Sequence, residues 1–329
     1  MPANLTPQYL DAEKRFRQAK TAAEKISALE DMLALIPKHK GTEKMQADLK
    51  RRLSKAREEA QKKGKAGARG HTYHVPREGA GQVVLVGPPN SGKSTLLAML
   101  SNTTPEVGDY PFTTRKPLPG MMDFENIKIQ LMDLPPIAVG WTEGWVYALI
   151  RNADLALVLV DLASDDVFEQ VEQIKDQLAA HKIRLMGQAS DESADGGEIA
   201  KRALLVGNKE DVEHAEERGA FLAELYATDF PVLTISAASG GNLEALRQAL
   251  YDGLGVLRVY TKSPGKKPEH DTPFVLKRGS TILDVAEAVH KDIAAGLKFA
   301  RVWGADTFEG QRVTRDYMVQ DGDVIELHS

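Results

Sequence analysis

Cysteine is missing from all 329 residues, which excludes a disulfide scaffold, thiol catalysis and thiolate metal sites, and fits a reducing compartment. Long hydrophobic runs are missing as well. The start, Met1-Pro2-Ala3-Asn4-Leu5, has no basic segment followed by an apolar one, and the longest apolar run nearby, Met32 to Ile36, is far too short to cross a bilayer. A soluble, cytoplasmic protein with no membrane partner is expected. An overall charge of one sign is lacking too. Against 42 Lys and Arg stand 47 Asp and Glu, a net of −5, so the chain as a whole is not a general binder of polyanions. What charge there is lies unevenly: between Lys38 and Arg69 twelve basic residues face four acidic ones, a local net of +8 that leaves −13 on the rest. The length fits about two domains with small appended modules, and 42% hydrophobic residues supply their cores.

Apolar residues at Ala19, Ala23, Ile26, Leu29, Leu33 and Ile36 recur with the period of one helix face until Pro37 stops them. Met45, Leu49, Leu53, Ala56 and Ala60 form a second series. Two antiparallel helices are therefore expected within residues 1–70. On the second, Lys50, Arg51, Arg52, Lys55 and Arg57 lie within about two turns, which makes either a solvated surface or a nucleic-acid face; the clustering, with further Lys and Arg on a Gly-rich tail, favours the second.

From Gln82 the texture changes to short apolar runs, each followed by an amphipathic segment. Val83 to Val86, Ile127 to Met132, Leu155 to Val160, Ala203 to Val206 and Val232 to Ile235 read as buried strands. Stretches beginning near Ser94, Asp165, Val212 and Asn242 read as helices, and Met186 to Glu198 as a surface loop. The fold class is α/β, a mainly parallel sheet with helices on both faces, over residues 81–256. Residues 257–271 are expected to form a linker, and 272–328 a terminal module. In that module Phe274 to Lys277, Phe299 to Trp303 and Val324 to Leu327 read as strands. Thr281, three residues before Asp284, makes a capping box for a helix reaching His290.

Gly87-Pro88-Pro89-Asn90-Ser91-Gly92-Lys93-Ser94 fits G-x-x-x-x-G-K-[ST], after an apolar strand and opening a helix. In that setting backbone N–H groups of the loop and of the helix start, through Thr95, surround a nucleotide's β-phosphate. Lys93 bridges β and γ oxygens, and the Ser94 hydroxyl ligates Mg²⁺. The base is addressed downstream. Asn208-Lys209-Glu210-Asp211 follows an apolar strand, so its side chains emerge at the carboxyl end of the sheet. A carboxylate there accepts from guanine N1–H and the 2-amino group, a donor pair adenine does not offer. Ser236-Ala237-Ala238 ends the next strand, where a backbone amide would reach guanine O6.

With these residues in place the sequence resembles the translation-factor-related GTPases and, within them, the Obg superfamily, most closely its developmentally regulated GTP-binding proteins. Tyr110-Pro111-Phe112-Thr113-Thr114-Arg115 looks like the family's first switch, and Asp133-Leu134-Pro135-Pro136 stands where its D-x-P-G second switch does. Thr272 to Leu327, with Phe299-Ala300-Arg301-Val302-Trp303-Gly304, resembles a TGS domain, a ubiquitin-like β-grasp module. Pro37-Lys38-His39-Lys40-Gly41-Thr42, leading into the basic helix, is similar to the family's N-terminal helical hairpin. The resemblance implies GTP and GDP as ligands, with Ser94 and Thr114 on Mg²⁺, Asp133 holding it through a water, and Asn208 and Asp211 on the base. It implies hydrolysis of GTP to GDP and phosphate with Lys93, Thr114 and Asn90 as the groups at the reacting phosphates. It also implies a partner containing RNA, the ribosome foremost, and leaves room for a protein activator.

Two departures stand out. The developmentally regulated members carry an extra domain between the second switch and N-K-x-D, and the 75 positions separating Asp133 from Asn208 have little room for it. Pro136 replaces the glycine whose N–H faces the γ-phosphate, and Ile137 takes the place of a water-orienting glutamine. The alternative to a slow GTPase is therefore a hydrolysis-impaired, guanine-nucleotide-dependent binding module. Asn90 has two readings: turn formation, and, by resemblance to GTPases with such a P-loop asparagine, an oxygen ligand for K⁺. Trp141 and Trp145 read as packing anchors and useful fluorescence reporters.

Overall fold

The run Val83-Val84-Leu85-Val86 offers no polar residue for a solvent face, and in the computed structural model all five residues of strand β1 (Gln82–Val86) are buried. The structure describes residues 73, 75–101, 116–138, 142–187, 197–264, 272–305 and 307–329, together with Phe16, Leu29, Met32, Leu49 and Arg51. Two compact units divide the chain, residues 1–72 and 73–329. In the first, all five described residues are helical; Leu29 and Leu49, on the two expected apolar series, are buried, and Arg51 of the basic cluster is exposed. The other hairpin residues, the first switch with Phe112, Thr113 and Thr114, and Trp141 lie outside the described residues.

After β1 the second unit runs through α1 (Lys93–Leu100), β2 (Leu118–Phe124), β3 (Ile127–Asp133), α2 (Gly144–Asn152), β4 (Leu155–Asp161), α3 (Val167–Ala180) and β5 (Ile183–Met186). It continues with β6 (Ile199–Asn208), α4 (Ala215–Tyr226), β7 (Val232–Ile235) and α5 (Leu243–Leu254). These strands form a seven-stranded sheet in the order β2-β3-β1-β4-β6-β5, with β7 also on β6. Every pairing is parallel except β2 with β3. One face buries Val84, Met132, Val158 and Leu205 beneath α2, α3 and α4; the other buries Val83, Leu131, Leu157 and Leu204 beneath α1 and α5. The two-sided core is what makes the strands read as unbroken apolar runs.

In this sheet the sequence reading missed β2, α2, the short β5 and the first half of β6. Strand β2 lies at the end of the strand order and contains Pro119 and Gly120, residues an edge tolerates and an interior strand does not. Helix α2 buries Trp145, Val146, Tyr147, Leu149 and Ile150, so no polar stripe announces a helical period. β6 starts at Ile199, four residues before its apolar run, because its first half pairs with the short β5. There Lys201 is buried and donates to the carbonyls of Arg151 and Ala153, closing the end of α2.

The second sheet begins earlier than the expected linker allows. β8 (Val256–Thr261) is a strand, pairing antiparallel with β9 (Phe274–Lys277) and parallel with the last strand, so residues 257–261 belong to the terminal module. A single residue, Gly255, separates α5 from it, and that tight passage hides the boundary in the sequence. The module continues with α6 (Ile282–Val289), α7 (Lys291–Gly296), β10 (Phe299–Trp303), β11 (Gln311–Val313) and β12 (Val324–His328), in the sheet order β11-β10-β12-β8-β9. The capping box forms as read: the Thr281 N–H and hydroxyl both donate to Asp284, at 2.6 and 2.9 Å. Leu257, Val259, Ile282, Val285, Ala300, Val302 and Ile325 make its core. No helix among the described residues is long and apolar enough to cross a membrane.

Arg258 binds the two sheets together. Its guanidinium donates to Asp321 of the terminal module at 2.7 and 3.2 Å and to Glu125 at the tip of the β2–β3 hairpin, and it lies over the Tyr251 ring of α5. The Tyr251 hydroxyl donates to the same Asp321 carboxylate at 2.6 Å, and the Tyr251 ring stacks on Phe124. Asn126, beside Glu125, donates to the Tyr260 hydroxyl. Burial alone would push the Asp321 carboxyl up, but the bonds from Arg258 and Tyr251 outweigh it and hold it below the usual carboxylate range.

Asp321→Asn should accordingly lower stability at neutral pH by about 1–3 kcal/mol, the cost of truncating charge-assisted bonds. Because the folded carboxyl sits below its unfolded value, this contribution is present above the unfolded pKa of about 4 and is lost as pH falls through the folded one. Denaturant melts at pH 7 and pH 3 check it. Wild type and variant should differ at the first and converge toward the second.

Candidate functional site

The loop from Gly87 to Gly92 joins β1 to α1 at the carboxyl end of the sheet, and two of its positions admit only glycine. At Gly87 a Cβ would fall 2.3 Å from the Leu159 carbonyl oxygen and 2.8 Å from Ser91 Oγ. At Gly92, which caps α1 with φ +92°, a Cβ would fall 2.2 Å from the Asn208 side-chain nitrogen. Asn90 also has positive φ, +61°, and its side chain is exposed. Asparagine tolerates that conformation, in keeping with the turn-forming reading. Pro88 and Pro89 are half-buried, and Ser91 is fully buried with its hydroxyl donating to the Pro88 carbonyl.

Lys93 folds back beneath this loop. Its ammonium lies 2.8 Å from the Pro88 carbonyl, 3.1 Å from that of Gly87 and 3.4 Å from Ser91 Oγ, with the residue only 6% exposed. Burial pulls its pKa down to about 8, with the negative charge of Asp133 opposing the fall. The next residue, Ser94, donates its hydroxyl to the Asp133 carboxylate at the end of β3. A hydroxyl and a carboxylate brought together in this way are hard oxygen donors, the type Mg²⁺ takes. Thr95 follows in the first turn of α1.

The second switch rests on the phosphate loop. Leu134, Pro136 and Ile137 are buried and Pro135 half-buried. The Ile137 N–H donates to the Gly87 carbonyl at 3.1 Å, the same oxygen that Lys93 approaches. Thr142 steadies the segment beyond, accepting from the Ala138 N–H at 3.0 Å. Trp145 is buried against Tyr73, as a packing anchor should be.

Asn208 ties three loops at one point. Its side-chain amide donates to the Ser91 carbonyl at 2.8 Å and accepts from the Ala237 N–H at 2.9 Å, and the residue is buried. Phosphate loop, N-K-x-D segment and Ser236-Ala237-Ala238 loop thus converge. Ser236 and Ala237 are buried, Ala238 is exposed, and the Ser236 hydroxyl accepts from the Ser239 N–H. Asp211 is exposed at the same end of the sheet, and Lys209 pairs with Asp161, a residue the sequence reading passed over. The available signal was a carboxylate ending the otherwise apolar run Leu155 to Val160. Among the described residues no group of three or more His, Asp or Glu gathers into a metal site of its own.

A mainly parallel sheet with a glycine-bounded loop before its first helix, a lysine folded beneath that loop and a buried asparagine tying it to the loop after β7 defines a P-loop protein. A family profile described as 50S ribosome-binding GTPase matches residues 82–188, and one described as TGS domain matches residues 257–329. An uncharacterized GTP-binding protein of Methanocaldococcus jannaschii is 32% identical over 92% of this chain and 92% of its own length. Developmentally-regulated GTP-binding protein 2 of Mus musculus is 28% identical over 92% of this chain and 98% of its own. The chain belongs to the GTP-binding proteins that join such a GTPase domain to a TGS domain. Both alignments, of 361 and 362 positions, exceed its 329 residues, so these relatives hold residues it lacks. Among solved structures, Aquifex aeolicus Era bound to GDP·AlF4⁻ matches 68% of this chain and 71% of its own, at 20% identity and a TM-score of 0.42.

Gly92→Ala meets both the positive φ and the Asn208 side chain, and no rearrangement of a flexible tip relieves it. Affinity for GDP should fall at least about tenfold, a strain of a few kcal/mol being divided between loop and fold. Titration of a fluorescent GDP analogue measures it; unchanged affinity would mean the loop is free to rebuild.

Proposed function

We propose that this protein binds GTP and GDP at the loop from Gly87 to Thr95, hydrolyses GTP slowly to GDP and phosphate, and uses its switches to control association with RNA, the ribosome foremost. The carrying observation is the Asn208 side chain, which holds the phosphate loop and the Ala237 loop in one site. In this reading the backbone N–H groups of the loop and of α1, with Lys93, bind the phosphates. A neighbouring phosphate charge offsets the burial of the Lys93 ammonium and keeps it protonated. Ser94 and Asp133, with Thr114 of the first switch, would hold Mg²⁺, which supplies positive charge to the phosphates when bound. Asp211 takes guanine N1–H and the 2-amino group; Lys209, Ser236, Ala237 and Ala238 close around the base.

Slow turnover follows from the second switch. Pro136 has no N–H to offer a γ-phosphate, the Ile137 N–H is engaged by Gly87, and the Ile137 side chain is buried and apolar. No side chain at that position orients water, so the chemistry falls to positioning and charge from Lys93, Thr114 and Asn90. A K⁺ ion, if held by the Asn90 oxygen, would supply further charge. Its test needs Asn90→Gly beside Asn90→Ala, because alanine is strained at φ +61°. RNA association is assigned to the basic helix around Lys50, Arg51, Arg52 and Lys55, supported by the family's description as ribosome-binding and by the exposure of Arg51.

Asp211→Ala should weaken GDP binding by about tenfold to over a hundredfold, the loss of charge-assisted bonds worth roughly 1.5–3 kcal/mol. Fluorescence titration reads it, and affinity equal to wild type would remove Asp211 from the base site. Pro136→Gly should raise the affinity for GTP relative to GDP and speed single-turnover hydrolysis of radiolabelled GTP. Equal rates and equal affinity ratios would show that the Ile137 anchorage, not the missing N–H, sets the switch.

A further inference from the structure

One peptide group of the second switch is engaged on both of its sides. Pro135 and Pro136 have no N–H, so Ile137 supplies the first one after Leu134, and it donates to the Gly87 carbonyl at 3.1 Å. The carbonyl of that same planar peptide belongs to Pro136 and points the opposite way. It lies 3.5 Å from the Thr142 hydroxyl, which also accepts from the Ala138 N–H at 3.0 Å and stands 3.2 Å from the Ala138 carbonyl. One hydroxyl thus faces three successive peptide groups. Behind it stands α2. Tyr147, buried in that helix and stacked on the His181 ring at 3.5 Å, brings its phenol to Thr142; burial pushes the phenol's pKa up, and the bond to Thr142 works against the rise. The clasp therefore ties the second switch to a packed helix.

We propose that Thr142 is a positioning residue for the second switch: its hydroxyl holds the Ile137 N–H turned toward Gly87 and thereby limits the preference for GTP over GDP. The inference rests on the guanine-nucleotide reading above. A γ-phosphate is recognised by this segment only if one of its N–H groups turns to it, and after prolines at 135 and 136 the Ile137 N–H is the first available donor. Turning it swings the Pro136 carbonyl as well, because the peptide is planar, and takes that carbonyl away from Thr142. GDP asks for no such turn. Thr142 therefore weighs against GTP and leaves GDP untouched, so its effect is on discrimination between the two and not on affinity in general.

The test measures dissociation constants of the full chain for GDP and for a non-hydrolysable GTP analogue, in wild type, Thr142→Val, Thr142→Ser, Pro136→Gly and the Thr142→Val/Pro136→Gly double variant. Valine keeps the shape without the hydroxyl, and serine keeps the hydroxyl; Thr142→Ala carries the same expectation as valine should the second methyl disturb packing. Thr142→Val is expected to tighten the GTP analogue about three- to tenfold, the net worth of a hydrogen bond or so, with GDP affinity unchanged. Thr142→Ser should match wild type. Beside Pro136→Gly, where position 136 offers an N–H of its own, the effect of Thr142→Val should shrink below about twofold. A merely structural role would move both nucleotides together, so equal losses for GDP and the GTP analogue would overturn the inference. An unchanged affinity ratio in Thr142→Val, the same change in Thr142→Ser, or an effect undiminished beside Pro136→Gly would overturn it as well. Absence of GDP binding by wild type would overturn the site reading itself, and this inference with it.

Discussion

The passage of the Asn208 amide between the Ser91 carbonyl and the Ala237 N–H is the constraint on which the carboxyl end of the sheet depends. Three loops that leave three different strands are fixed relative to one another by one buried side chain, and Gly92 is glycine because that side chain passes within 2.2 Å of where a Cβ would stand. A buried amide of this kind has to satisfy both its donor and its acceptor, and here it does so with backbone groups whose positions are set by strand ends. The sheet supports it from below. β1 and β4 are buried on both faces, so their carboxyl ends have little freedom, and the loops they carry inherit that rigidity.

A second constraint lies at the far end of the β2–β3 hairpin. Arg258 comes from the first strand of the terminal module, but its partners are shared between that module, α5 and the hairpin tip. A guanidinium serves this role because its planar fork reaches two carboxylates while its face lies on a ring. The two sheets are thus joined by a polar cluster reinforced by the stacked Phe124 and Tyr251 rings, and the boundary between GTPase and TGS domains is a shared surface in which Gly255 is the hinge in sequence only.

How much of this could be read from the residues depended on whether the signal was local. Val232–Ile235 is found to the residue because an apolar run bounded by turn residues has few alternatives, and the phosphate loop is found because its spacing is chemically demanding. The Thr281–Asp284 capping box is equally local. What escaped was set by partners distant in sequence. β2 is a strand because β3 pairs with it through a Pro-Gly step; β8 is a strand because β9 and β12 flank it; and Asp161 is informative only once Lys209 is seen to reach it. The Ile137 N–H falls in the same class, since its engagement by Gly87 depends on how the second switch folds over the loop.

The lashing of the hairpin tip limits how the strands between the two switches can move. β2 and β3 together form a rod whose tip, Glu125 and Asn126, is held by Arg258 and Tyr260, while its open end carries Asp133 and the start of the second switch. Sliding that rod along β1 by two residues, the smallest step that keeps its buried face buried, would displace it by roughly 7 Å and take both tip residues off their partners. Pivoting about the tip would spare those bonds but strip Gln130–Asp133 from β1. The terminal module at one end and β1 at the other therefore hold the rod as a fixed strut, and any rearrangement falls to the segment beyond Asp133.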